Sequence, residues 1–188
     1  KYEFFLKKII KEDKSNFQAL NNLATHFKNI GLRSKAETYY KESLVYNKNY
    51  ANAYFNLALL YEENGSLVYA EKLYLKALET GEYKPSIIYN LLRLNQDYLD
   101  KVDLKKIKNI TNNQKFSLEE RGYAYFILSI SARKNKNIDQ ELELLNFGHE
   151  FIFKSDPIYH SLSEYWINTA PNKFSNSIKF KNVNSKLK

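Results

Sequence analysis

The sequence predicts an all-α chain of stacked antiparallel helix pairs, and three observations carry the prediction. A set of residues recurs every thirty-four positions between Phe17 and Leu94. Inside each copy the apolar residues fall at i, i+3, i+4 and i+7, which is one face of an α-helix. Glycine stands at the same place in two successive copies, Gly31 and Gly65, where a first helix has to stop and turn into a second. A fixed period of this length marks one supersecondary unit repeated along the chain, none of which can bury its apolar face alone.

Composition agrees. The chain has 188 residues, 44% hydrophobic and 27% charged, with five glycines and three prolines. That is room for one domain or one short array, and too few turn residues for a loop-rich β protein. The 16 tyrosines and 12 phenylalanines suit helices that interlock through aromatic ridges. With no cysteine, disulfides, zinc–thiolate sites and thiol nucleophiles are excluded. With no methionine, the first residue is not an initiator, and the chain is expected to start inside a longer gene product. An upstream signal or lipid anchor, and hence a cytoplasmic or periplasmic location, stays open. The charge-free stretch around residues 122–132 is about half of the roughly 20 residues a membrane span needs.

The elements follow in order. Residues 2–13, YEFFLKKIIKED, read as the second helix of a preceding pair whose first helix is missing, a half repeat over 1–16. Its apolar face invites a partner or a second copy of the chain. The first full unit spans 17–50 and the second 51–84. Leu20 matches Tyr54, Asn22 matches Asn56, Leu23 matches Leu57, Ala24 matches Ala58 and Phe27 matches Tyr61. The alanines let a neighbouring helix approach closely. Ala36/Ala70, Tyr40/Tyr74 and Ser43/Ala77 then make a small–large–small face on the second helix. The third unit, 85–115, opens well with PSIIYNLLRLN, but its second helix near 104–111 is short and lysine-rich. The fourth, 117–155, starts at SLEE, where Ser117 and Glu120 form a capping box. Tyr125, Leu128 and Ala132 take its first-helix packing sites, with Leu145 and Gly148 as the large and small residues of its second helix. Asp156–Pro157 predicts the start of a final helix over 156–168. Residues 169–188 are Asn-, Ser- and Lys-rich without periodicity, an expected irregular basic tail.

Tyr54, Leu57, Ala58, Tyr61, Gly65, Ala70, Tyr74 and Ala77 together resemble the tetratricopeptide repeat (TPR) family. The second unit departs from that pattern at Glu82, and the first at Leu20 and Lys48. The resemblance covers about residues 1–168 and is strongest over 17–94. It implies a right-handed α-solenoid whose first helices line a concave groove, with a protein or an extended peptide as partner.

By that resemblance the groove side chains are Gln18, Asn21, Asn22, Thr25, Lys28 and Asn29 in the first unit, and Asn52, Phe55, Asn56, Leu59, Glu62 and Glu63 in the second. The third supplies Ser86, Tyr89, Asn90, Arg93, Gln96 and Asp97, and the fourth Tyr123, Phe126, Ile127, Ile130, Arg133 and Lys134. The expected contact set is Asn22, Thr25, Asn52, Phe55, Asn56, Leu59, Tyr89, Asn90, Arg93, Tyr123 and Phe126. Asn22, Asn56 and Asn90 form a ladder one repeat apart. An amide offers both donor and acceptor, so such a ladder suits the main chain of an extended peptide of any sequence. Phe55, Tyr89, Tyr123 and Phe126 would supply apolar anchors. The family members that clamp a C-terminal carboxylate use Lys or Arg where this chain has Asn21, Ser86 and Asn90, so a carboxylate clamp is not expected.

No enzyme chemistry is expected. His26 has no titratable partner at helical spacing, and Asp156 with His160 makes at most an ion pair, since two ligands do not hold a metal. There is no glycine-rich phosphate loop or nucleophile elbow, and no cofactor is implied. The leading reading is a non-catalytic interaction scaffold or adaptor, with a bacterial assembly factor similar to the TPR lipoproteins of type IV pilus biogenesis as a narrower form. Nucleic-acid binding is the disfavoured alternative. The net charge is +8, but its cations cluster at Lys101, Lys105, Lys106, Lys108 and Lys115 and in the tail, while Glu62, Glu63 and Asp97 belong to the groove.

Overall fold

A computed structural model describes residues 1–156; the final helix expected over 156–168, the Asp156–His160 pair and the basic tail lie outside the described residues. Within them the elements run α1 (Tyr2–Glu12), α2 (Phe17–Asn29), α3 (Arg33–Tyr46), α4 (Ala51–Glu63), α5 (Leu67–Glu79), α6 (Pro85–Leu94), a 3-10 segment (Gln96–Lys101), α7 (Leu104–Asn112), α8 (Leu118–Lys134) and α9 (Ile138–Ser155). No strand occurs among the described residues.

Local chemistry sets most of the boundaries. Asn16 caps α2 by accepting from the Ala19 backbone N–H, and Asn137 caps α9 by accepting from that of Gln140. Asp103 caps α7 by accepting from Lys105 and Lys106 N–H. At α8 both halves of the Ser117–Glu120 capping box are made. Pro85 opens α6, where its missing N–H has no helical partner to lose. Gly31 and Gly65 end α2 and α4 with φ of 81° and 76°, the left-handed conformation that only glycine adopts without penalty.

α2 with α3, and α4 with α5, form regular antiparallel pairs, and α1 packs on α2. The small–large–small face explains the pairing. Tyr40 and Tyr74 are fully buried, flanked by Ala36 and Ser43 in one unit and Ala70 and Ala77 in the next, all inaccessible. Ser43 also donates its hydroxyl to the Phe17 carbonyl at 2.8 Å, tying the end of one helix to the start of its partner. Truncating either tyrosine to alanine removes an aromatic from a close-packed site, which costs about 3–5 kcal/mol. α1 buries Leu6 but leaves Tyr2, Phe4, Phe5 and Ile9 between 42% and 67% exposed.

The third unit breaks the pattern, and its residues say why. One period beyond Gly65 stands Leu99, and one period beyond Tyr74 stands Lys108. Without a glycine to make the left-handed turn, α6 ends early at an extended Asn95, and the 3-10 segment buries Leu99 in place of the turn. Without the large aromatic, α7 has nothing with which to clasp α6. It packs mainly on α8 instead, while α8 packs directly on α6. Ile88 and Leu92 of α6 join Ile107 and Ile110 of α7 and Ile127 and Ile130 of α8 in one apolar cluster. Beyond it, α8 and α9 form a long regular pair around Gly122 and Gly148, both buried.

Candidate functional site

The first helices of successive pairs lie side by side, as a run of cross-links between them shows. Asn56 Nδ2 on α4 donates to Asn21 Oδ1 on α2 at 3.0 Å, and Lys28 pairs with Glu63 at 3.3 Å. From α6 back to α4, Lys84 Nζ donates to Asn52 Oδ1 at 2.7 Å and Arg93 Nη2 to Glu62 Oε1 at 2.5 Å. Across to α8, Tyr89 packs on Tyr123 with ring centroids 5.5 Å apart.

The amide ladder is unequal along this face. Asn22 is exposed and receives only a long 3.5 Å contact from Asn21. Asn56 is half-buried and bound to Asn21. Asn90 is 5% exposed; it donates to the Ser86 carbonyl at 2.8 Å and accepts from Arg93 at 2.9 Å. Its amide therefore serves its own helix. Thr25 is likewise engaged, donating to the Asn21 carbonyl at 3.0 Å while the Tyr40 hydroxyl lies 3.0 Å from the same oxygen. Of the ladder, then, Asn22 alone is exposed, Asn56 is half-buried and Asn90 is buried.

The aromatics gather at the other end. Phe55 lies half-buried against Tyr74, Leu59 is half-buried beside it, and Tyr89, Tyr123 and Phe126 form a contiguous cluster. Phe126 is 8% exposed, with its ring filling the space over Gly148. Ile127 and Ile130 are buried in the core with α6 and α7, so the groove assignment for these two residues does not hold. The cause is the direct packing of α8 on α6, which takes these two residues into the core while Tyr123 stays half-buried beside the depression. Arg133 and Lys134, at the far end of α8, pair with Glu141 and Asp100.

Between these regions a depression of about 340 Å³ is lined by Asn52, Phe55, Lys84, Ser86, Ser117, Glu119, Glu120 and Tyr123. Its wall is aromatic and its rim carries both signs of charge. Lys84 also meets Glu82 at 2.8 Å, and Glu120 is held in the capping box. Below it, Tyr74 donates to Glu62 Oε2 at 2.8 Å, so Glu62 is gripped by a buried phenol and by Arg93. Burial first, and the Glu62 carboxylate second, push the Tyr74 phenol far above its ordinary range. Burial likewise raises Tyr123, with Glu119 adding to it.

Sequence reasoning missed Lys84, Glu119 and Glu120 as parts of this depression, and it missed Glu3, which lies 3.5 Å from His26. A signal existed for the cross-links: the pairs between adjacent first helices are 31, 32 and 35 residues apart, one period give or take a helical turn. Among the described residues no group of three or more His, Asp or Glu could hold a metal ion. No helix among them is long and apolar enough to cross a membrane.

Regular helix pairs, glycine turns and side-by-side first helices define a helical-repeat solenoid. Specifically, the fold is that of a TPR-like repeat protein. MamA is similar in structure, with a TM-score of 0.50 at 20% identity, covering 79% of this chain and 85% of that one. YrrB, described as a TPR protein with an unusual peptide-binding site, aligns with a TM-score of 0.45 at 15% identity, covering 85% of this chain and 97% of that one. No family model matches the sequence, and no curated protein matches it.

Proposed function

We propose that the chain is a non-catalytic interaction scaffold that holds an extended peptide or protein segment across the first helices of its repeats. The observation that carries this reading is the 340 Å³ depression walled by Phe55 and Tyr123, with the amide of Asn52 in its lining and the half-buried Asn56 next to Phe55 in the chain. An apolar side chain seated in the depression would leave the flanking main chain beside Asn56 and Asn22. The rim charges of Lys84 and Glu119 would favour a segment of mixed sign. Neither Phe55 nor Asn56 is among the fully buried side chains, so replacing them leaves the core largely intact.

The test is an affinity capture from source-organism extract with native chain and with a Phe55→Ala/Asn56→Ala variant shown to keep its helicity. The captured segment is then synthesised and its affinity measured by fluorescence anisotropy. A peptide that binds the native chain and loses tenfold or more in affinity for the variant supports the reading. A peptide bound equally by both overturns it and moves attention to the exposed apolar residues of α1. Capture of nucleic acid in place of protein, with steep loss of binding in salt, would establish the other class. The narrower reading, a bacterial assembly factor of the kind that serves type IV pili, rests on no residue of the groove and is decided by what is captured.

A further inference from the structure

A second cavity, of about 350 Å³, opens on the break in the third unit, between α5, α6, the 3-10 segment and α7. It lies where the third unit departs from the regular pairs, with Leu99 and Lys108 one period beyond Gly65 and Tyr74. Its walls are Leu75, Leu78, Ile88, Leu92 and Val102, an apolar lining of the size and character of a small-ligand site, for which roughly 300–1,000 Å³ is usual. It is distinct from the groove depression and shares no lining residue with it.

Polar groups sit only at particular points. Tyr83 lines the cavity, and its hydroxyl is buried with no hydrogen-bond partner among the described residues. Burial first, and the Asp103 charge second, raise the phenol above its ordinary range, with the Asp103 backbone opposing them in part. An unpartnered buried hydroxyl is costly and is rarely left so. At the mouth, Lys106 Nζ lies 4.0 Å from the centre of the Tyr83 ring and Lys101 Nζ 5.0 Å from that of Tyr98. Neither lysine is in an ion pair with a carboxylate among the described residues. The one carboxylate in the lining, Glu82, is neutralised by Lys84 at 2.8 Å, and Asp103 nearby is engaged as the N-cap of α7.

An apolar chamber with two ammonium groups at its mouth that meet no carboxylate among the described residues, and a buried phenol in its wall, suits a ligand with an apolar body and a single anionic head. We propose that the third unit binds a medium-chain aliphatic carboxylate, its chain against Leu75, Leu78, Ile88 and Leu92 and its head between Lys101 and Lys106. A carboxylate oxygen within reach of Tyr83 would also satisfy the buried hydroxyl.

The test uses the full chain and a homologous series of sodium hexanoate, octanoate and decanoate, with octanol and octylamine as head-group controls, by isothermal titration calorimetry. Each added methylene should tighten binding about fourfold while it is buried, and the gain should stop when the chain outgrows the cavity. Octanoate should bind more tightly than octanol, and octylamine should bind worst. A Lys101→Ala/Lys106→Ala variant, altered only at exposed positions, should lose the preference for octanoate over octanol while still binding octanol. A Leu78→Trp variant, which fills the chamber, should bind none of the series. Absence of saturable octanoate binding overturns the proposal. So does a preference for octanoate that survives in the lysine variant, because the head group would then be recognised elsewhere.

Discussion

Gly148 lies inside α9, in the middle of an 18-residue helix, and replacing it with alanine sets two effects against each other. Helix propensity alone would favour alanine by about 1 kcal/mol. Against that, a Cβ at this position would lie 2.4 Å from Phe126 Cε1 and 2.5 Å from Cδ1, far inside van der Waals contact. A phenyl ring cannot bend, so it would have to translate. It is hemmed in by Tyr89 at 5.3 Å, Tyr123 at 6.3 Å and His149 at 5.0 Å between ring centres. Overpacking of this kind costs about 1–3 kcal/mol, and the rigidity of the obstruction puts it in the upper half of that range. Gly148→Ala should therefore be destabilised by about 1–2 kcal/mol net, a fall of roughly 3–6 °C in melting temperature for a chain of this size. Urea titration followed by circular dichroism would give the free energy, and calorimetry the midpoint. A Gly148→Ala/Phe126→Leu double variant isolates the cause, since the smaller side chain should recover about 1 kcal/mol or more of coupling energy. If Gly148→Ala melts at or above the native temperature, the close α8–α9 packing described above is wrong.

The other expectations are briefer. Lys136 adopts φ of 57° in the turn between α8 and α9, and Lys136→Gly should raise stability by about 0.5–1 kcal/mol in urea titration by relieving that left-handed strain. Ser117→Ala removes the capping box of α8 and should lower stability by about 1 kcal/mol, with faster amide exchange confined to the first turn. Tyr74 has a folded-state pKa raised above its ordinary 10.0, so its contribution is complete below that pH and is lost as pH rises further. Tyr74→Phe should cost about 1–2 kcal/mol at neutral pH by removing the bond to Glu62, and should flatten the loss of stability between about pH 10 and 11.5 that the native chain shows. Glu37 is held below its ordinary 4.5 by hydrogen bonds first from Lys41 and then from Tyr61. Its contribution is therefore present above that pH and fades as pH falls through the folded value. Glu37→Gln should melt with a shallower acid dependence between about pH 5 and 3.

Much of the architecture was legible because it is local and periodic. Gly31 and Gly65 announce their turns, Ser117 and Glu120 announce a helix start, and Tyr40 and Tyr74 mark the buried faces, each from spacing alone. The second helix of the third unit was legible as short, but its displacement was not, since it depends on what is missing. Leu99 replaces a glycine and Lys108 a tyrosine, and sequence periodicity registers only a weak match there. The groove was legible in part for the same reason. Assigning Ile127 and Ile130 to it assumed that the fourth unit keeps the register of the second, whereas α8 is carried onto α6 and those residues enter the core. Asn90 reads identically to Asn22 and Asn56 in sequence. Only the neighbouring Arg93 and the Ser86 carbonyl show that its amide is already engaged.

The irregular third unit has a mechanical consequence. In a stack where each unit touches only its neighbours, tension applied at the ends is equal at every joint, and the joint with the least interlocking yields first. The least regular stretch here is the short α7 and the 3-10 segment, which lead from α6 to the α8 that packs on it. If residues 95–113 pulled straight while the flanking pairs held, they would release a tether of roughly 60 Å at about 3.4 Å per residue. The protein would then answer a load by lengthening at one place, as a rope with a single spliced section does, and the repeats on either side would keep their shape.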